Sequence, residues 1–318
     1  LDLNSQNQTI GSLAGVSGSA VKLGGGTLTT GGNNTSTTFG GVISGTGGLV
    51  KTGTGIMTLT GVNTYTGGTK VANATLVIGA NGALAPGNVT IGDGNGTLQL
   101  ATNTGGETIS GLSILAGSSL DMTNNHLFID YAAGEQASVD ATIRGYLTNG
   151  YHSGAWNGTS GSATGGGINS STAALPANSQ FALGYADGAD GVVTGLSSGQ
   201  VEVKYTLYGD ANLDGVVSGV DFTILVGNLG KSVNAWDKGD FNYDGVVSGT
   251  DFTALVGNLG KSASGADITL PASDLAAIDA FAAANGLLAS VPEPTTASIL
   301  AFGAVGLLAR RRRKGTIA

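Results

Sequence analysis

The run Gly47-Gly-Leu-Val-Lys-Thr-Gly-Thr-Gly-Ile-Met-Thr-Leu-Thr-Gly-Val-Asn-Thr-Tyr-Thr-Gly-Gly-Thr-Lys-Val-Ala-Asn-Ala-Thr-Leu76 alternates apolar and polar residues in short bursts, each broken by Gly or Asn. Alternation over four or five residues marks a strand with one buried face. Val21-Lys-Leu-Gly24, Gly26-Thr-Leu-Thr29, Ile56-Met-Thr-Leu-Thr60, Ala74-Thr-Leu-Val-Ile78 and Gly96-Thr-Leu-Gln-Leu100 share it. Leu59, Leu76, Leu98 and Leu120 recur at intervals of 17, 22 and 22 residues. A repeat of roughly 20 residues is what one coil of a stacked β-solenoid needs. Each coil buries its inward Leu or Val against the next, and Gly or Asn supplies positive φ at the corners. The pattern predicts a parallel β-solenoid, or β-helix, over residues 1–100, with a β-sandwich as the alternative.

Composition agrees with a mainly β chain. Of 318 residues, 57 are Gly, only 11% are charged and 6% aromatic, yet 41% are hydrophobic, enough to bury a core. There is no cysteine, which excludes disulfides, thiol catalysis and zinc–cysteine sites. Five of the 13 basic residues are Arg310–Lys314, so the remainder carries 8 basic against 21 acidic residues. So acidic a body argues against a nucleic-acid partner and suits calcium. The chain starts at Leu1 with no signal peptide ahead of it and is read as a fragment whose export signal lies upstream.

The quoted run resembles the autotransporter-associated β-strand repeat of bacterial surface proteins over 47–84. Leu49, Lys51, Gly53, Gly55, Asn63, Tyr65, Gly67, Gly68 and Thr69 carry the likeness. Residues 24–46 resemble the lead-in to that repeat. The resemblance implies an exported, β-helical, structural segment with no catalytic residue.

Residues 101–208 read as a β-rich continuation. Leu112–Leu115, Leu120–Met122, His126–Tyr131, Phe181–Tyr185 and Gln200–Leu207 are strand candidates. Ala137–Leu147 has helical spacing with Ser138 as N-cap, and Gly154–Ala174 reads as a long surface loop. Asp187-Gly-Ala-Asp190-Gly reads as a turn, with a weak cation site as the alternative. Among candidate catalytic groups, His126 and His152 read as surface residues, and Asp130, Glu135 and Asp140 lack the spacing of a glycosidase pair. No active site is expected.

The strongest chemical signal is a repeat at an offset of 30 residues: Gly209-Asp-Ala-Asn-Leu-Asp-Gly-Val-Val-Ser-Gly-Val-Asp-Phe222 returns as Gly239-Asp-Phe-Asn-Tyr-Asp-Gly-Val-Val-Ser-Gly-Thr-Asp-Phe252. Each copy is an oxygen cage for a hard divalent cation, with a Gly turn at position 6. Copy one offers Asp210, Asn212, Asp214, the Val216 carbonyl, Ser218 and Asp221; copy two offers Asp240, Asn242, Asp244, the Val246 carbonyl, Ser248 and Asp251. Two calcium ions are expected. Phe222, Leu225, Val226 and Leu229 form one apolar stripe, and Phe252, Leu255, Val256 and Leu259 another, on short helices ending at Gly230 and Gly260. No amphipathic helix precedes either loop, and position 12 is Asp rather than Glu. In this the stretch 209–262 resembles the dockerin type I domain. The resemblance implies docking to a cohesin-like partner through Gly219, Val220, Gly249 and Thr250, with the β body as the intramolecular alternative.

Residues 263–290 read as a linker with a helix from Ser273 to Gly286, turning Leu275, Ile278 and Phe281 inward. Then follow Pro292-Glu293-Pro294, an apolar run 297–309, and Arg310, Arg311, Arg312, Arg313 and Lys314. A basic block behind an apolar run stops transfer and leaves what precedes it outside. This tail, 291–314, resembles the PEP-CTERM sorting signal, which implies processing by an exosortase-type enzyme. Together these readings describe a secreted or surface-attached structural or adhesive protein, with extracellular polysaccharide among its partners. The alternative is an accessory component of a polysaccharide-binding or polysaccharide-degrading assembly.

Overall fold

The structure is a computed structural model and describes residues 1–158, 166–288 and 291. Residues 1–270 form one unit and residues from Pro271 another.

The first unit winds as a parallel β-solenoid. One six-stranded sheet stacks β1 (Gln8–Ile10), β3 (Leu28–Thr30), β6 (Leu49–Lys51), β8 (Thr69–Ala72), β10 (Val89–Gly92) and β13 (Leu112–Ile114). A second stacks β4 (Thr37–Phe39), β7 (Ile56–Leu59), β9 (Thr75–Ile78), β11 (Thr97–Leu100), β14 (Ser119–Asp121) and β16 (Gly167–Asn169). The third face carries β2 (Ala20–Gly24) beside β5 (Val42–Gly45), then β12 (Gly106–Ile109) and β15 (His126–Asp130), joined antiparallel by β18 (Gln200–Leu207) and β17 (Phe181–Asp187).

Register explains the apolar series. Met57, Leu76, Leu98, Leu120 and Ile168 pair in one inward ladder, and Phe39, Leu59, Ile78 and Leu100 in the next. All are buried, each contributing about 1.5–3 kcal/mol. Leu59 thus sits one pleat away from the Leu76 ladder, and Met57 takes the place the spacing assigned to it. Alternation gives every strand two inward positions, and leucine spacing alone does not say which is shared.

Polar residues of the quoted run have interior jobs. Lys51 occupies an inward ladder position between Thr30 and Val71 and is 1% exposed. Its ammonium donates to the carbonyls of Thr52 (2.6 Å), Gly53 (3.3 Å) and Gly55 (2.6 Å), one for each N–H, and burial pulls its pKa down. Where the third face lacks strands, the buried Asn63 side chain accepts from the Ile43 N–H at 2.8 Å and donates to the Ala83 carbonyl at 2.7 Å. It so ties three successive coils together. Asn63→Ala leaves a buried donor and a buried acceptor unpaired and is expected to cost about 2–4 kcal/mol, read as a lower urea midpoint.

The last coil is closed by β18 and β17 on one face and, beside β16, by α1 (Gln136–Tyr151). This helix outruns the sequence estimate at its C-terminal end, and Glu135 rather than Ser138 is its N-cap; the Ser138 hydroxyl donates to the Glu135 carbonyl at 2.7 Å. The expected surface loop 154–174 is corrected in its described part. Trp156 is fully buried, and Gly167–Asn169 is a buried strand that extends the second sheet by pairing with β14. Its glycine-rich composition concealed a coil of the ladder.

Two short helices follow β18, α2 (Gly219–Asn228) and α3 (Gly249–Asn258). In the second unit, α4 (Ala272–Asn285) ends in a left-handed Gly286, as expected. Its N-cap is Pro271 rather than Ser273, and its buried residues are Ile278 and Ala282, whereas Leu275 is 41% exposed. Among the described residues no helix is long and apolar enough to cross a membrane. Pro292, Glu293, Pro294 and Arg310–Arg313 lie outside the described residues.

Candidate metal centre

β18 delivers the chain straight into the first loop, where the Thr206 hydroxyl donates to Asp210 Oδ2. Asp210 then organises the turn, accepting from the Asp214 N–H at 3.1 Å and the Gly215 N–H at 2.9 Å. Asp240 does the same with Asp244 (3.2 Å) and Gly245 (3.0 Å). Asn212 and Asp214 are linked side chain to side chain at 2.9 Å, as are Asn242 and Asp244. The two copies agree bond for bond around the turn.

Ser218 and Ser248 have a role the ligand pattern did not show. Each is the N-cap of the following helix, in a capping box with Asp221 or Asp251. The signal was present as Ser-x-x-Asp ahead of an apolar run. Asp221 also accepts from the Ala211 and Asn212 N–H groups at 2.9 and 3.2 Å, so it ties the helix start to the loop start. Asp251 holds the Phe241 N–H at 2.8 Å in the same way.

The loops carry negative charge in an apolar setting. Asp210, Asp221, Asp240 and Asp251 are fully buried. Desolvation, reinforced by neighbouring carboxylates, pushes Asp210 up to about 7 and Asp221 and Asp240 up to about 6, and raises Asp251. None of the four is in an ion pair among the described residues. Among those residues, too, no three acidic or imidazole side chains stand together as a ready ligand group. Both oxygens of each carboxylate accept hydrogen bonds from the loop, Asp221 taking four in all, but these neutral donors leave the negative charge uncompensated. Carboxylates, amide oxygens, hydroxyls and the Val216 and Val246 carbonyls make an all-oxygen set that fits calcium.

The two copies brace each other. Gly230 N–H donates to the Val247 carbonyl and Gly260 N–H to the Val217 carbonyl, both at 2.8 Å. Phe222 and Phe252 meet with ring centroids 6.4 Å apart, joining the two apolar stripes. Gly209 and Gly239 have φ of +99° and +103°, and a Cβ on either would meet the Leu255 or Leu225 backbone of the opposite helix at 2.7 or 3.1 Å. Glycine there is a condition of the near two-fold packing.

Three family models match the chain. The passenger-associated-transport-repeat covers residues 49–78, the dockerin type I domain 208–260, and the PEP-CTERM protein-sorting motif 290–314. No curated protein and no solved structure matches. The chain therefore combines a passenger repeat, a dockerin module of a calcium-binding type, and a sorting signal, the combination of an exported protein.

The dockerin module does not stand apart from the solenoid. Trp236, in the turn Trp236–Lys238 between the copies, is fully buried and donates from its indole N–H to the Asp210 carbonyl at 2.7 Å. Tyr243 donates to the Leu183 carbonyl of β17 at 2.6 Å, and its ring lies 5.7 Å from Tyr151 and 6.1 Å from Trp156. Gly184 makes room for this: a Cβ there would meet the Trp236 indole nitrogen at 2.5 Å and Leu213 at 2.8 Å. Sequence reading passed over these residues. The clue lay in the substitutions between copies, Ala211 to Phe241 and Leu213 to Tyr243, where symmetry is given up for contact with the body.

The docking positions are likewise unequal. Val220 on α2 is 57% exposed. Thr250 on α3 lines a cleft of about 590 Å³ with Tyr151, Gln180 and Tyr208 of the body. Its hydroxyl is bonded to Ser248 at 2.6 Å and to the Asn242 amide at 3.2 Å. Gly219 and Gly249 each open their helix.

Proposed function

We propose that this chain is a non-enzymatic structural or adhesive protein of the bacterial surface or extracellular matrix. The β-solenoid is its stalk, and two calcium ions, one per loop, hold the dockerin module on the last coil. The observation that carries this reading is the set of four buried loop carboxylates without cationic partners, in a module whose aromatic side chains are built into the solenoid cap. Binding energy for calcium then becomes folding energy for that end of the molecule. Asp210, Asn212, Asp214, the Val216 carbonyl, Ser218 and Asp221 hold one ion; Asp240, Asn242, Asp244, the Val246 carbonyl, Ser248 and Asp251 hold the other. Asp214→Ala and Asp244→Ala are each expected to abolish uptake at one loop and spare the other, read by calorimetric titration of the full chain. Undiminished uptake in either variant sinks the assignment.

The sorting signal implies an exosortase-type processing enzyme, and the dockerin module a cohesin-like partner, approached from α2 because α3 faces the body. Extracellular polysaccharide is the expected surrounding matrix. Polar groups in the body support a structural reading. His126 is bonded to Glu202 at 3.0 Å, Asp130 to Gln200 at 2.7 Å, and Glu135 to the Ala132 N–H at 3.1 Å. Lys51 is buried, Lys70 is paired with Asp93, and Arg144 is bonded to Asn234, so these cations do not gather into a polysaccharide-cleaving site. Turnover of an acidic polysaccharide in a lyase assay would move the protein to the degradative class.

A further inference from the structure

The two loop helices run out in the same six residues, Val226–Lys231 and Val256–Lys261. Their surroundings differ. In the first copy the Asn228 amide donates to the Ile224 carbonyl of its own helix at 3.1 Å, and Lys231 is exposed, its ammonium turned back on the Gly227 carbonyl at 2.6 Å. In the second the Asn258 amide donates to the Tyr208 carbonyl at 2.9 Å and the Gln180 carbonyl at 3.2 Å, which fastens the end of α3 to the solenoid cap. Lys261 is half-buried there and donates to Asn258 Oδ1 at 3.0 Å. It lines the cleft of about 590 Å³ between α3 and the body. Seating on the cap thus makes a site from a sequence that makes none in the other copy.

The cleft has the parts of a saccharide site. Its volume falls within the range of small-ligand pockets, about 300–1,000 Å³. Tyr151 presents a ring held edge-on by Trp156 at 5.3 Å and tilted against Tyr243 at 5.7 Å. The Tyr208 hydroxyl accepts from the Trp156 indole N–H at 2.9 Å, so its own proton is left for the next acceptor. The Tyr151 hydroxyl is its neighbour: a Cβ on Gly154 would lie 3.8 Å from one and 3.9 Å from the other. With one proton between them, the pair keeps one to donate. Lys261 uses one of its three N–H groups on Asn258 and keeps two. Among the described residues it is the one charged group lining the cleft, in a chain whose net charge is -8. Gln180 and Ser179 add an amide and a hydroxyl at the exposed rim. Aromatic faces take the C–H surface of a sugar ring, amides and hydroxyls take its hydroxyls, and an ammonium takes a carboxylate. A neutral sugar leaves the ammonium idle, and an acidic peptide brings a carboxylate but few hydroxyls for the other groups.

We propose that the cleft between α3 and the solenoid cap binds an acidic saccharide of the uronic-acid type, its carboxylate on Lys261 and its ring against Tyr151. This deepens the matrix reading given above, on which it rests, by naming the sugar and the residues that hold it. The cleft exists only while α3 is seated on the cap, so a bound saccharide also holds the module in place.

Calorimetric titration of the full chain with cellobiouronic acid, in buffer containing calcium chloride, tests this. Cellobiose, with a hydroxymethyl group in place of the carboxylate, and the acidic tripeptide glycyl-glutamyl-glycine are the comparisons. The acid is expected to bind at one equivalent, and both comparisons about tenfold more weakly or less. Lys261→Gln is expected to weaken the acid about tenfold or more, and Tyr151→Phe, which keeps the ring, about two- to tenfold. Lys231→Gln is the internal control, with the same local sequence and the same change of charge, and its affinity is expected to equal the parent's. Should Lys261→Gln melt well below the parent, Tyr151→Phe carries the test. Cellobiose or the tripeptide binding as tightly as the acid overturns the proposal, and so does an equal loss in Lys231→Gln and Lys261→Gln. Binding of the acid that is indifferent to both Lys261 and Tyr151 overturns this site and leaves the matrix reading standing. No uptake of either sugar overturns the two together.

Discussion

Stripping calcium from the full chain at pH 7.5 is expected to lower Tm by about 10 °C and to reverse how stability changes with pH. An ion present at about 100 times its dissociation constant adds about 2.7 kcal/mol per site, so two loops contribute about 5 kcal/mol. A chain of this size shifts about 2–4 °C per kcal/mol. The pH effect follows from the buried carboxylates. Asp210 is raised from 3.8 to about 7, and Asp221 and Asp240 from 3.8 to about 6. A folded-state pKa above the unfolded one means the folded state holds more protons between those values. Stability is then fully present below about pH 4 and is lost as pH rises through 6 to 7. Calcium requires the deprotonated carboxylates, so excess metal replaces the protons and removes that loss. Melting curves with and without chelator should converge near pH 4 and separate most above pH 7. Equal Tm values at pH 7.5 would refute the calcium assignment.

Local chemistry in this chain was legible because it is written in short, repeated words. Strand alternation placed Thr97–Leu100 and Gln200–Leu207 where the structure has them, because a half-buried strand must alternate. The twin loops were visible because calcium ligation fixes residue types at fixed spacing. What stayed hidden was long-range. Arg144 and Asn234 are 90 residues apart, and nothing local in either stretch predicts that α1 and the inter-loop segment meet. The strand Gly167–Asn169 was hidden for another reason. It is buried by its neighbours' side chains and carries one apolar residue, Ile168, of its own. Trp236 drew no reading, although a lone tryptophan in a polar connection is a candidate anchor.

Trp236→Ala is expected to cost about 3–5 kcal/mol, the range for removing a fully buried large aromatic, and to do so mainly at the junction. The ring stands edge-on to Phe241 at 5.0 Å, and lies 5.9 Å from Tyr243 and 6.1 Å from Tyr208, so its loss opens a cavity shared by the body and the second loop. Its N–H also fixes the Asp210 carbonyl at the start of the first loop. One substitution therefore strikes both copies, although the residue belongs to neither. Trp236→Phe keeps much of the apolar volume and removes only that hydrogen bond, with an expected cost of about 1 kcal/mol plus a small packing loss. Gly184→Val attacks the same junction from the body side, because any Cβ there intrudes on the indole nitrogen at 2.5 Å. All three changes should leave the solenoid ladders intact, since Met57, Leu76, Leu98 and Leu120 pair without help from the module. In limited proteolysis, Trp236→Ala and Gly184→Val are expected to speed cleavage between Gly209 and Lys261 while the coils up to Asp130 resist. A Trp236→Ala protein that melts and cleaves like its parent would show that the module is merely tethered to the solenoid, with the aromatic cluster contributing nothing to its attachment.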